Sequence, residues 1–421
     1  MQKLLSISVL KLVTSFVTSF YKLGGIKMLN IEREFSTEEA KKFALNWVKE
    51  QGYTYEEQEF STNDHKFKIY RGILKKGKEV IAVGNGKGLG DEPLVGAIFE
   101  TIEHFYYNSQ RHREHIIFST QNLKRQLKSL GVNSYPINLL HSRSAYVQVD
   151  KFLGINNNES FYYPCVLNDV NFKDNHDDND ISGYRSDNGY AIGATKKEAV
   201  LHALNEVIER DSISKVLIRY GLGIYDDCDC WEVDKKTLPY DIRVLIESIE
   251  TTSGTEVRLI RIHNVYSIPT ILCVSKGKKW KYPLYGAGTS LDLEYATIRA
   301  VTELLQLILL FGKEDQLLFE RLDKQWKEYN LTKRMLRFEF LSNRPIRNWN
   351  YRKGKKFHKN VDGLIAEEVS KLERCKRRTY VRNIYEGNGV YVVQVIVPGT
   401  ELFNLILEGS VLLPCNYYGE Q

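Results

Sequence analysis

Between Thr195 and Ser212 the chain reads TKKEAVLHALNEVIERDS, a helical pattern whose apolar stripe is interrupted by Glu198, Glu206 and Glu209. At about 100° per residue, Glu206 lies about 80° and Glu209 about 20° from Glu198 around the axis. All three carboxylates therefore share one face with Ala, Val, Leu and Ile. A packing face cannot leave them in bulk water, and anions held close together resist ionisation unless cations compensate. Two other helical patterns carry the same anomaly: GAIFETIEHF places Glu100 and Glu103 at i, i+3, and RAVTELLQLILL places Glu303 among apolar residues. A fold of this chain has to bring these groups to cations, and a hard divalent ion such as Mg2+ bridging to phosphates would satisfy them together.

The loops before two of these helices suit an anion. GNGKGLG (84–90) and SDNGYAIGAT (186–195) can turn backbone N–H groups outward, and Thr195 can cap the helix that begins at Lys196. Lys87, Ser186, Asn188 and Arg210 add donors for phosphate or ribose. Neither loop matches G-x-x-x-x-G-K-[ST], so an ordinary phosphate loop is excluded. Taken alone, Glu206, Glu209 and Arg210 would read as surface ion pairs; three apolar helices with the same feature argue otherwise. His202 reads as a packed side chain rather than a catalyst.

The net charge of +6 is moderate, and the basic runs YRKGKKFHKN (351–360) and RCKRR (374–378) lack interleaved stacking aromatics. They read as solvated faces rather than a nucleic-acid surface. The six cysteines are scattered, and the one close pair, Cys228-Asp-Cys230, is spaced too tightly for a usual zinc site. Reduced thiols in a cytosol fit this pattern.

Residues 1–27 read as an N-terminal extension resembling a crude signal peptide, with Lys11 breaking its apolar middle. Ser36 to Glu39 forms a capping box that opens a helix ending at Gly52. KFKIYRGIL and EVIAVGNG predict strands, followed by a helix from about Pro93. NFKDNHDDNDIS (171–182) is too polar to pack and reads as a mobile loop placed to act as a lid. EVRLIRIHN and PTILCVSKG predict a further strand pair, and LDLEYATIRAVTELLQLILLFG is the longest helical pattern. The last ~25 residues alternate strand-like runs with turns. No internal repeat is evident.

The ordered set GKGLGDEPLVGAIFETIEHF, SDNGYAIGATKKEAVLHALNEVIERDS, ATIRAVTELLQ and VPGTELF resembles the YcaO family from about residue 80 onward. The resemblance implies an α+β, YcaO-type ATP-binding fold, with mixed and antiparallel sheets and packed helices. It implies one domain over 28–421: an N-terminal α/β segment (28–150), an ATP/Mg-binding core (about 80–110 and 180–313) and a C-terminal region (314–421). By this likeness Glu100, Glu103, Glu198, Glu206, Glu209 and Glu303 bind Mg2+, and Lys87, Ser186, Asn188, Arg210 and Arg299 contact ATP.

The activity so implied is ATP-dependent activation of peptide backbone amides in maturation of a ribosomally made peptide such as a bacteriocin. Cyclodehydration of Cys, Ser or Thr to azolines, precursors of thiazoles and oxazoles, is the leading form. Thioamide or amidine formation is the alternative within the fold, and a non-catalytic nucleotide-binding scaffold the alternative outside it. Implied partners are the precursor peptide, a separate leader-binding, E1-like protein and a flavin dehydrogenase, with room for a homodimer and with neither nucleic acid nor membrane. Two departures stand out: His104 follows Glu103 where the family often has Arg, and LLPCNYYGEQ replaces a proline-rich tail.

Overall fold

The computed structural model describes residues 31–109, 116–157, 159–172, 179–223, 229–277, 279–349 and 360–416. The chain divides into two compact units, 1–31 and 32–421. The expected extension 1–27, the centre of the polar loop (173–178), Cys228 and nearly all of the basic run 351–360 lie outside the described residues.

Among the described residues, three sheets organise the second unit. The first is an antiparallel meander of β1 (Thr54–Ser61), β2 (Lys68–Lys76) and β3 (Glu79–Gly86). The second has the order β4 (Ile116–Ser119), β5 (Tyr146–Gly154), β13 (Tyr380–Gly387), β14 (Val390–Ile396), β7 (Tyr190–Gly193), with β6 (Ser160–Pro164) pairing β5. The third runs β11 (Tyr285–Thr289), β10 (Thr270–Lys276), β9 (Glu256–His263), β8 (Asp229–Asp234), β12 (Ile346–Asn348). Its β12 runs parallel to β8, and the other pairings are antiparallel. This is the α+β architecture with mixed and antiparallel sheets.

One edge strand of each sheet leads into a helix: β3 into α2 (Glu92–Ser109), β7 into α3 (Lys196–Leu222) and β11 into α4 (Leu293–Leu310). Glycines let each strand approach its helix closely. A Cβ at Gly86 would stand 1.6 Å from the Pro93 carbonyl oxygen, and one at Gly288 2.1 Å from that of Ala296. Helix α1 (Thr37–Glu50) begins with the expected capping box between Ser36 and Glu39 and buries Trp47 against α2.

Several expectations fail in detail. Strand β1 is absent from the sequence reading because TYEEQEFS is polar on both faces, as an exposed edge strand can be. The longest helix among the described residues is α3, with 27 residues, rather than α4 with 18. Its Asp211, Ser212, Ser214 and Lys215 are all buried, so polar residues in the core masked its length. After β14 the chain forms a 3-10 turn at Phe403–Glu408 and no further strand among the described residues. Buried Glu401 clasps this end, accepting from the N–H groups of Cys415 (2.7 Å) and Asn416 (3.0 Å). Arg378, in the basic run, pairs with Glu159 at 2.6 Å. The five described cysteines are free thiols. No single helix among the described residues is long and apolar enough to cross a membrane.

Candidate active site

Helices α2, α3 and α4 bring five of the six predicted glutamates into electrostatic contact. Burial pushes the Glu206 carboxyl up to about 8, with Asp187 and Glu209 adding to the rise and Arg210 and Lys87 opposing it. Burial and then Glu303 lift Glu209 to about 7 against Arg210, Arg299 and Lys87. Glu103 is raised well above its ordinary value by burial and by Glu100, Glu206 and Asp187. Glu100 is raised by burial despite His104 and Lys87. Glu303 is the exception: burial raises it, but the Lys87 ammonium bonded to it, with Arg210 and Arg299, holds it below the usual range. By themselves these side chains are short of positive charge, which is the condition a bound cation relieves.

The cations come from three directions. Lys87 follows β3 and bridges to Glu303 on α4. Arg210 lies one residue beyond Glu209 on α3, with Glu206, Tyr285 and Glu408 around it, and stays charged despite burial. Arg299, on α4, donates from Nη2 to His202 Nε2 at 3.2 Å. Burial and the neighbouring Arg299, Arg33 and Lys87 push the His202 imidazole well below its ordinary value, so it is neutral. The expected packed histidine is therefore also a support for Arg299.

Three further predicted residues, Glu198, Ser186 and Asn188, make contacts of their own. Glu198 is buried at the start of α3, where it accepts from the N–H groups of Glu34 (2.6 Å) and Ala194 (3.2 Å) and lies 3.8 Å from Arg33. Ser186 and Asn188 line a cavity of about 60 Å3 with Asn168, Val207, Gln394 and Cys415, and Ser186 Oγ accepts from the Asn188 N–H at 3.0 Å. The glycine loop also differs from expectation: the Asn85 N–H donates to Glu100 at 3.0 Å and the Leu89 N–H to Glu92 at 3.4 Å. Those two amides serve the protein's own carboxylates rather than an incoming anion.

Sequence reasoning passed over Asp187, which faces Glu103 and Glu206 from the loop between Ser186 and Asn188. Its place inside an already suspect loop was the available signal. It also passed over Glu32, which accepts from Ser290 Oγ at 2.5 Å and binds the segment before α1 to the start of α4. No local pattern marks Glu32.

Among the described residues no three carboxylate, imidazole or thiol groups converge tightly enough to enclose a metal ion by themselves. Carboxylates ringing a space together with Lys87, Arg210 and Arg299 fit a different arrangement, in which Mg2+ is held by one or two carboxylates and completes its shell with phosphate and water. The donor set is all oxygen, as Mg2+ requires.

The comparisons agree with this chemistry. The family model described as YcaO cyclodehydratase, ATP- and Mg2+-binding, matches residues 85–401. An uncharacterised protein of Methanothermobacter thermautotrophicus is 30% identical over 246 residues, which is 53% of this chain and 58% of that protein. The match thus spans little more than half the length of that relative. The structure of YcaO from Methanopyrus kandleri bound with AMPPCP and Mg2+ is similar with a TM-score of 0.64 at 20% identity, over 92% of this chain and 97% of that one. A heterocyclase in complex with substrate and cofactor is similar with a TM-score of 0.60 at 17% identity, over 88% and 53%. The chain belongs to the YcaO family, whose members are described as binding ATP and Mg2+.

Proposed function

We propose that this protein activates a backbone amide of a ribosomally made peptide at the expense of ATP, and that the product is an azoline formed from Cys, Ser or Thr. The observation that carries the reading is the meeting of Glu100, Glu103, Glu206, Glu209 and Glu303 with Lys87, Arg210 and Arg299 on three helices. ATP with Mg2+ supplies the phosphoryl group that turns the amide oxygen into a leaving group. The protein's own work is positioning and charge compensation, since phosphoryl transfer asks little covalent chemistry of the enzyme. The carboxylates of α2, α3 and α4 hold the cation side. Lys87, Arg210 and Arg299 face the phosphate side, and His202 keeps the Arg299 guanidinium oriented.

Glu198 belongs to the same site as the residue that ties the N-terminal segment to α3, and Ser186 and Asn188 belong to it through the loop that carries Asp187. The domain reading, one unit from 28 with its ATP core at about 80–110 and 180–313, follows the same residues. The precursor peptide is the substrate, and a separate leader-binding protein delivers it in the cytoplasm. In support, the E. coli microcin synthetase McbBCD complex with pro-MccB17 bound is similar in fold, with a TM-score of 0.55 over 82% of this chain.

The test is incubation with ATP, Mg2+ and the precursor peptide encoded nearest the gene, followed by mass spectrometry. Loss of one water per modified residue, abolished in Glu206→Ala while partner binding persists, supports the reading. Replacement of oxygen by sulfur would assign thioamide formation instead. Full activity of Glu206→Ala would remove the site from the chemistry.

A further inference from the structure

Two of the three strand-to-helix units, those that end in α2 and α4, share a register, and α3 repeats their side-chain spacing one turn further along. In α2 the chain reads Ala97-x-x-Glu100-x-x-Glu103, in α3 Ala203-x-x-Glu206-x-x-Glu209, and in α4 Ala300-x-x-Glu303-x-x-Gln306. The equivalence of α2 and α4 is geometric. A Cβ at Gly86 would strike Ala97 N at 2.4 Å, and one at Gly288 would strike Ala300 N at 2.7 Å. Each strand therefore grips its helix at the alanine, and the two following positions point the same way relative to that grip. In α3 the strand glycine Gly193 meets Ala199 N, one turn earlier, and the same spacing follows from Ala203. Glu103 thus has a geometric counterpart on α4, and Glu209 a counterpart by spacing: in both cases it is Gln306, an amide.

Gln306 lies one turn beyond Glu303 and two turns beyond Arg299, on the face that α4 gives to the cluster. Its Oε1 is buried and has no hydrogen-bond partner among the described residues. A buried amide oxygen without a donor is costly unless something else satisfies it. Its two counterparts are carboxylates that burial and like charge keep raised. A further carboxylate here would add to that repulsion, whereas an amide oxygen supplies a hard ligand atom with no charge.

We propose that Gln306 is the third helix's binding residue for the Mg2+–ATP assembly, presenting Oε1 to the cation or to its bound water where α2 and α3 present carboxylates. The inference rests on the nucleotide reading above and deepens it. Five helix glutamates, Asp187 and one amide then set how much Mg2+ the site demands.

The experiment is calorimetric titration with a nonhydrolysable ATP analogue over a series of Mg2+ concentrations, on the unmodified protein, Gln306→Leu and Gln306→Glu. Thermal unfolding without ligand serves as the folding control. Gln306→Leu is expected to raise the Mg2+ needed for half-maximal analogue binding by about tenfold or more, the usual effect of removing a group that supports a metal. Gln306→Glu restores an oxygen and is expected to lower that demand again, more so at higher pH. Gln306→Leu binding with unchanged Mg2+ dependence would overturn the proposal. Should Gln306→Leu fail to fold, Gln306→Glu decides alone: an unaltered Mg2+ dependence counts against the role and a shifted one for it. Failure of the unmodified protein to bind the analogue at any Mg2+ concentration would overturn the nucleotide reading itself, and this inference with it.

Discussion

The raised carboxyl of Glu206 makes the ligand-free protein less stable as pH rises, and the size of the effect can be worked out. In the unfolded chain the group titrates near its ordinary 4.5, whereas in the folded protein it holds its proton up to about 8. Between those values the folded state binds the extra proton, so its contribution is fully present below about 4.5 and is lost as pH climbs toward 8. Each pH unit crossed costs about 1.4 kcal/mol for a fully shifted group. Relaxation and partial hydration reduce this, so between about pH 5.5 and about pH 7.5 we expect a loss of about 1–3 kcal/mol attributable to Glu206. Glu206→Gln keeps the shape and removes the titration, so its advantage over the unmodified protein should vanish only near or below about pH 4.5 and should widen by a similar amount, about 1–3 kcal/mol, between about pH 5.5 and about pH 7.5. Mg2+ with a nonhydrolysable ATP analogue should reverse the ordering by binding the ionised form. The assay is thermal or urea unfolding in chelator across this pH range, repeated with ligand. Parallel pH profiles for the two proteins would refute the argument, because they would mean that Glu206 is ordinary in the folded state.

Three further outcomes follow from contacts elsewhere. His202→Ala releases the Arg299 guanidinium and should weaken analogue binding several-fold with little change in folding stability, and His202→Gln, which keeps an acceptor, should recover part of it; equal affinities would deny His202 the supporting role. Glu401→Ala strands the N–H groups of Cys415 and Asn416 and should cost about 2–4 kcal/mol, with faster hydrogen exchange at those two amides. Glu368 is buried and neither carboxyl oxygen has a hydrogen-bond partner among the described residues, and burial and Glu32 push it well above the usual range. Glu368→Met should therefore leave stability unchanged or raise it near neutral pH, and a large loss on urea unfolding would reveal a bonding role for the acid.

Much of the local structure was legible because it depends on neighbours in sequence. The Ser36–Glu39 cap, the extent of β3, the start of α2 and the Thr195 cap of α3 each follow from side chains within one turn or one pleat. Strand β1 was not legible, since an edge strand exposed on both faces has no apolar alternation to display. The full length of α3 was hidden because its second half buries Asp211 and Lys215, which satisfy each other at 3.0 Å, and Tyr266, which donates to Asp211 from a distant strand connection.

The candidate site divides along the same line. That Glu100, Glu103, Glu206, Glu209 and Glu303 occupy packed helix faces is a property of spacing, and helical periodicity alone determined it. That Glu198 gives one oxygen to the Glu34 amide was decided by the N-terminal segment, 164 residues away in sequence, whereas its bond to the Ala194 amide is local. Likewise, the three sheet edges decided that Lys87 meets Glu303, that Asp187 joins the cluster, and that Gln306 stands where the other helices carry glutamate. Secondary structure is written in short-range sterics and hydrogen bonds, which the sequence states directly. The partners of a buried charge are chosen by distance through space, and only the packing of α2, α3 and α4 against their strands sets those distances.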